Sequence, residues 1–421
     1  MTAAPVFDSE LLATQLFDRL ADATGDGVGI TRECYGEGED AALAIFREAA
    51  EALGLVVEAD SVANLIVRLP EDDGTAPANY IGSHADSVPQ GGNFDGAAGI
   101  IAGLLCLGRI RQSGRKLTHP VRVIMLRGEE SAFYGRANIG SRVLFGILDA
   151  ADLEARSRGK GRTLGEAMEA TGIDLAPIRE GAVLFDTSRA LSYLELHIEQ
   201  GPVMVARDLP TSVVSGIRGN IRHRKVTCRG EAGHSGAIPR WLRKDPVFAF
   251  AELIGRLDEH WRTLLERGLD LVVTSGVVST DAADHAISRI PGEIGFSFEI
   301  RSQSRDTLEA FYELFRSECR AVAAQRGVRF EFDERVVAEP ARMDDGIIAR
   351  LSEMTERCGL PLEVLPSGAG HDAAVFANAG VPSGMIFVRN RNGSHNPDEA
   401  MEIADFLRGV DILHGVVTAG N

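Results

Sequence analysis

Apolar residues recur at helical spacing in two early stretches, 8–22 and 38–53, which predicts two amphipathic helices. Short apolar runs follow at ANLIVRLP (63–70), NYIGSH (79–84), VRVIMLRGEE (121–130) and LSYLELHIEQG (191–201), each read as a buried strand. Between them, Ile100, Leu104 and Leu107, with Ile101 and Leu105 beside them, give helical spacing after Gly96. Strands alternating with helices imply a mostly parallel sheet covered on both faces.

The pattern changes in the middle third. RKVTCRGEAGH, LVVTSGVVST, GEIGFSFEIRS and VRFEFDERV all read as strands. One helix starts at Asp245-Pro246, a cap residue followed by proline at the first helical position. A second carries Leu308, Phe311, Phe315 and Val322 on one face. The order β-α-β-β-α-β predicts a small open-faced sandwich. In GEIGFSFEIRS, Ile294, Phe296, Phe298 and Ile300 face the helices, and Ser297, Glu299 and Arg301 face away. Strand-and-helix alternation then resumes with VPSGMIFVRN. The expected fold is α/β: a doubly wound mixed-sheet catalytic domain, residues 1–211 and 336–421, interrupted by a smaller βαββαβ domain, residues 212–335.

The net charge of −17 argues against nucleic acid, whose affinity comes from phosphate neutralisation. An anionic substrate would need a local cationic anchor against that field. The five cysteines, Cys34, Cys106, Cys228, Cys319 and Cys358, are scattered without a CxxC pair, as expected of small buried residues in a reducing compartment. The N-terminus lacks the basic and apolar regions of a signal peptide. The longest apolar stretch, 97–110, falls short of the roughly 20 residues that span a bilayer, so a cytoplasmic protein is expected.

Five segments place imidazoles and carboxylates just after apolar runs: SHAD (83–86), NFDG (93–96), GEES (128–131), ELHIEQG (195–201) and GSHNPDE (393–399). In open α/β sheets the loops at strand carboxyl ends converge on one crevice. His84, Asp95, Glu130, His197 and His395 are the ligand types that divalent metals prefer, and five side chains can hold two metals if one carboxylate bridges. Asp86 is placed to fix the His84 tautomer. Of the adjacent pair Glu129-Glu130, one carboxylate can ligate while the other, Glu129, acts as general base. Taken singly, each is an ordinary polar residue; their joint occurrence at the ends of apolar runs carries the metal reading. His119, His260, His371 and His414 are read as uninvolved.

The segments GSHADSVPQGGNFDGAAG, RGEESAFYGRANIGS, ELHIEQGPV, GEAGHSGAIPRWLRKDP, SGAGHDAAVFA and NGSHNPDEAME resemble the amidase hydantoinase/carbamoylase family, in the same order from about Ala63 to Glu402. That family includes N-carbamoyl-L-amino-acid hydrolases, β-ureidopropionases and allantoate amidohydrolases, within the clan of aminoacylase-like dinuclear metallopeptidases. The resemblance implies one metal on His84 and His197, another on Glu130 and His395, and Asp95 between them. It implies Glu129 as general acid/base, Gln200 at the ureido or amide end, His234 polarising the scissile carbonyl, and Arg301 on a substrate carboxylate. It also implies that the inserted domain acts as a lid and forms a homodimer.

The substrate-facing set departs from the family pattern. Ser288, followed by Arg289, stands where asparagine is usual; Arg389 and Asn390 stand for proline and serine; and the stretch leading to His395 is shorter. Ser288, Arg289 and Arg389 are therefore further candidates for substrate contact. The expectation is a hydrolase cleaving a linear amide or ureido C–N bond in a small carboxylate, with two divalent ions, zinc first and manganese, cobalt or nickel also suited. An aminoacylase or dipeptidase activity and a non-catalytic binding protein are the alternatives.

Overall fold

The computed structural model describes residues 7–158 and 161–419. Part of the N-terminal segment read above for a signal peptide, residues 1–6, lies outside them. No helix among the described residues is long and apolar enough to cross a membrane. The chain divides into two compact units: residues up to Ser215 together with those from Arg342 onward, and Gly216–Ala341.

In the first unit the sheet order is Val56–Ala59, Leu65–Arg68, Val121–Leu126, Ala78–His84, Ala190–Ile198, Ser383–Val388, Thr211–Ile217. The central strands from Val121–Leu126 to Ser383–Val388 run parallel, and antiparallel strands flank them on both sides. The sheet is thus mixed, with parallel pairing confined to its centre. Thr211–Ile217 belongs to this sheet, pairing Val213 with Ile386, so the first unit runs a few residues past the expected boundary at 211.

Side-chain alternation along Ala190–Ile198 sorts the two faces. Leu194, Leu196 and Ile198 join the core under helix Ala97–Ser113. Tyr193, Glu195 and His197 point the other way, where Tyr193 stacks on Phe376 of helix Asp372–Asn378 at 4.0 Å. Helix Ser9–Thr24 starts on Asp8, whose carboxylate accepts from the amides of Glu10 and Leu11 at 3.1 and 3.0 Å.

In the second unit, Glu293–Ser302 and Gly219–Arg229 pair antiparallel along most of their lengths. Val272–Thr274 and Val278–Ser279 line the free side of the first strand, and Arg329–Phe332 and Val336–Ala338 that of the second. Helices Pro246–Glu266 and Arg305–Arg326 cover one face, starting on the side chains of Asp245 and Ser304. Ile294, Phe296, Phe298 and Ile300 are all buried with Leu308, Phe311, Phe315 and Val322. Phe298 stacks on Phe315 at 3.7 Å. Of the five cysteines, Cys358 differs from expectation: it is exposed at the C-terminal cap of helix Asp345–Arg357.

Candidate metal centre

Each of the strands Ala78–His84 and Ala190–Ile198 ends near an imidazole, His84 on the first and His197 on the second. Parallel neighbours deliver both rings to the same sheet edge. Their Nε2 atoms lie 3.4 Å apart, and both approach Asp95 Oδ1, at 3.4 Å from His84 and 3.2 Å from His197. Asp95 arrives on the loop before helix Ala97–Ser113. Gly96 holds that loop at φ +69°, and a Cβ there would stand 2.4 Å from the His84 ring. The glycine of NFDG is therefore needed for both backbone sign and close approach.

The second oxygen of Asp95 faces another group. Asp95 Oδ2 is 3.5 Å from His395 Nε2, and His395 Nε2 is 3.0 Å from Glu130 Oε1. His84, Asp95 and His197 form one cluster of potential ligands; Asp95, Glu130 and His395 form a second. Asp95 is common to both. A third cluster joins His197 to Glu195 and His371, below the first.

The hydrogen bonds around the rings set their tautomers. His84 Nδ1 is 3.2 Å from Asp86 Oδ1, and His197 Nδ1 is 2.9 Å from the Ile198 carbonyl. Both neighbours are acceptors, so each Nδ1 carries the proton and each Nε2 presents a lone pair. Those lone pairs converge on Asp95 Oδ1, which is buried without a hydrogen-bond donor. Buried acceptors facing one another are unfavourable unless a cation lies between them. The donor set therefore fits a divalent metal.

Asp86 has a second task. Its two oxygens accept from the amides of Glu129 and Glu130, both at 3.0 Å, which fixes the turn after strand Val121–Leu126. Glu129 is buried, and burial pushes its carboxyl well above the ordinary range, with repulsion from Glu130 and Asp372 adding and His84 opposing. Without a cation the rings take protons instead: burial lowers His84, but Asp86, Asp95 and then Glu129 outweigh it and raise it well above the usual imidazole value. Burial would raise Asp95, but His197 and His84 hold it well below the usual carboxylate value.

Gln200, at φ +61°, donates from Nε2 to Asp95 Oδ2 at 2.8 Å. Its backbone N–H donates to Asn390 Oδ1 at 3.0 Å. Asn390, the residue standing for the usual serine, thus shapes the Gln200 turn. Arg389 is engaged elsewhere: Asp405 accepts from it at 2.8 Å and Asp208 at 2.5 Å. In the second unit, His234 pairs across a two-stranded ribbon with Arg289, and Ser235 N–H donates to the Ser288 carbonyl at 2.8 Å. Arg301 lies opposite Asn220 and ion-pairs with Glu299 at 3.2 Å.

Several buried groups beside the cluster were not anticipated. Arg32 is fully buried, 3.3 Å from the Asp95 carbonyl and 3.4 Å from Asn93 Oδ1. Glu399 accepts from the amides of Phe94 and Asp95 at 2.8 and 3.2 Å. Glu195 accepts from Ser83 at 3.0 Å and from the Ala373 amide at 2.9 Å, and burial first, then Asp372, pushes it up to about 7. His371, read as uninvolved, packs its ring 4.4 Å from His197 and bonds Ser367 at 2.8 Å. The GHD triplet at 370–372 was the available signal for His371 and Asp372.

The chain is similar over nearly its whole length to characterised and solved proteins. It is 32% identical to an N-carbamoyl-L-amino acid amidohydrolase from Geobacillus stearothermophilus, over 92% of this chain and 93% of the relative. It is 32% identical to the allantoate amidohydrolase of Escherichia coli (strain K12), over 87% of each. A hydantoinase/carbamoylase family amidase from Burkholderia multivorans superposes with a TM-score of 0.87 at 25% identity, covering 98% of this chain and 97% of that one. The model of Peptidase family M20/M25/M40 matches residues 80–419, so the chain belongs to this family of metal-dependent hydrolases.

Proposed function

We propose that the chain is a dinuclear metallo-amidohydrolase that cleaves the ureido C–N bond of an N-carbamoyl amino acid or a related ureido carboxylate. The observation that carries this reading is Asp95, whose two oxygens face two separate ligand groups. The names of the relatives, N-carbamoyl-L-amino-acid amidohydrolase and allantoate amidohydrolase, support the substrate class.

His84 and His197 would hold one ion, Glu130 and His395 the other, and Asp95 both. Divalent ions bound there, zinc first by ligand type, would polarise the scissile carbonyl and acidify the attacking water. Glu129 takes the proton from that water and passes it to the leaving nitrogen. Asp86 keeps the His84 ring and the Glu129-Glu130 turn in place. An N-carbamoyl substrate and one water yield the free amine, carbon dioxide and ammonia. On the resemblance, His234, Ser288, Arg289 and Arg301 of the inserted unit are proposed as substrate contacts, Arg301 as the carboxylate anchor, with that unit forming a homodimer.

The test is a panel of N-carbamoyl-L-amino acids, allantoate, N-acetyl amino acids and dipeptides on metal-reconstituted protein, read by ammonia and amine release. Ammonia from the ureido compounds is expected. Turnover confined to N-acetyl amino acids or dipeptides would replace this reading with an aminoacylase or dipeptidase. Glu129→Gln should retain metal and lose at least about 100-fold in rate; near-normal turnover removes Glu129 from the mechanism.

A further inference from the structure

Glu129 Oε1 accepts a hydrogen bond of 3.0 Å from Asn138 Nδ2. The same nitrogen lies 3.2 Å from Asp372 Oδ1. Both neighbours are acceptors, so the nitrogen end of the amide faces them, and its two hydrogens serve one carboxylate each. Asp372 begins helix Asp372–Asn378, more than 230 residues later in the chain. It is fully buried, and Ser141 donates to the same oxygen at 2.5 Å. Asp372 Oδ2 is buried without a partner.

The backbone places the amide as firmly as the side chains do. Asn138 N–H donates to the Glu129 carbonyl at 2.8 Å, and Ile139 N–H to the Gly128 carbonyl at 2.7 Å. These two bonds close the loop that leaves Glu129 and returns beside it. Asn138 closes it in the left-handed region, at φ +55° and ψ +41°, where asparagine is among the few tolerated L-residues. The side chain that the turn accepts is thus the one that can bridge two carboxylates without adding charge. A cation at this point would neutralise Glu129 by pairing; an aspartate would add a third like charge.

We propose that Asn138 and Asp372 are positioning residues for Glu129: the Asn138 amide holds Glu129 Oε1, and Asp372, steadied by Ser141, holds the amide. The inference rests on the assignment of Glu129 as proton carrier. It gives the GHD segment at 370–372 a task in the reaction without contact with the substrate. The bridge fixes the rotamer of Glu129, so its loss lowers the rate of the proton-transfer step and leaves substrate affinity alone.

The test uses the metal-reconstituted enzyme and whichever panel compound it turns over fastest. Asn138→Gly keeps the left-handed backbone and removes the amide; Asn138→Asp keeps the shape and removes the donors. Both should lower kcat about 10- to 100-fold, the scale on which a misplaced group slows catalysis, with KM and metal content unchanged. Asp372→Asn should lower kcat in the same direction. Added to Glu129→Gln, Asn138→Gly should lower the residual rate no further. Normal kcat in Asn138→Gly beside an inert Glu129→Gln overturns the positioning role alone. Normal kcat in Glu129→Gln overturns the general-base assignment and this inference with it. Loss of metal or of the folded state in both Asn138 variants makes the residue structural and also overturns the inference.

Discussion

The two units of the chain handle charge in opposite ways. In Gly216–Ala341 the core is Phe296, Phe298, Ile300, Phe311, Phe315 and their neighbours. Its arginines and glutamates meet at the surface, as Arg256 does with Glu252 and Glu318. Among the described residues its one buried carboxylate is Asp245, which caps a helix. The other unit buries Arg32, Glu39, Asp86, Asp95, Arg127, Glu129, Glu130, Glu195, Asp372 and Glu399 beside a large apolar core. Burying a charge costs several kcal/mol unless it is paired or meets a metal. One unit is thus built for stability, and the other carries an electrostatic debt concentrated where the proposed ions would sit.

The sharpest way to break that contrast is to remove metal. Chelation should abolish activity and lower the unfolding midpoint. The linked stabilisation is about 2.7 kcal/mol at a metal concentration 100-fold above Kd. Hydrogen exchange should quicken at residues 84–97, 128–130, 195–200 and 393–399, and the amides of strand Glu293–Ser302 should be unaffected. Uniform quickening across both units would mean that the acidic cluster is not where metal acts.

The same contrast explains what could be read from the sequence. The inserted unit obeys the period of two in strand Glu293–Ser302 and of 3.6 in helix Arg305–Arg326, so hydrophobic patterning alone gave its order of elements. The ligand candidates were legible because His84 and His197 lie at the ends of apolar strands and Glu130 shortly after one. Arg32, Asn138, Glu195 and Glu399 were not. Arg32 and Asn138 lie outside strands and long helices, where burial leaves no period to read. Glu195 sits in a strand buried on both faces, and only the fold shows that Ser83 and the Ala373 amide satisfy its carboxylate there. Arg389 was legible only as an unusual residue near the site, and its partners Asp208 and Asp405 are invisible to local spacing.

A core truncation in the inserted unit should have the next largest effect, and on a different observable. Phe298→Ala removes the ring stacked on Phe315 and should cost about 3–5 kcal/mol in that unit's unfolding. Metal content at low temperature should remain that of the parent. Metal loss in parallel with the stability loss would show that the two units are not separable in the way their interiors suggest.

Asp86→Ala should have a smaller effect, and one confined to the metal-binding unit. It frees the His84 tautomer and leaves the amides of Glu129 and Glu130 without their acceptor. Residues supporting metal ligands typically contribute 10- to 100-fold in affinity, so competition with a chromophoric chelator should show a loss of about that size. Unchanged affinity would mean that the Ile198 carbonyl at His197 and the two carboxylates suffice to orient the site.

The smallest effect tests whether every buried charge in this unit belongs to the metal cluster. Arg122 donates to both oxygens of Asp72, at 2.7 and 2.9 Å, and a surface pocket of about 460 Å³ opens beside Asp72. Burial raises Asp72, but the Arg122 bonds and the Gly74 amide outweigh it and leave the carboxyl below its ordinary value of 3.8. A carboxylate lowered in the folded state binds its proton more weakly than in the unfolded chain. Its stabilisation is therefore fully present above pH 3.8 and is lost as pH falls through the folded value. The pair is almost fully covered, with 6% of the Asp72 and 3% of the Arg122 side chain exposed, and each tenfold weakening of proton binding is worth about 1.4 kcal/mol. Asp72→Asn should flatten the acid limb of the stability curve accordingly and leave metal affinity and turnover at neutral pH untouched. A change in either would extend the electrostatics of the metal cluster to the far end of the strands that carry it.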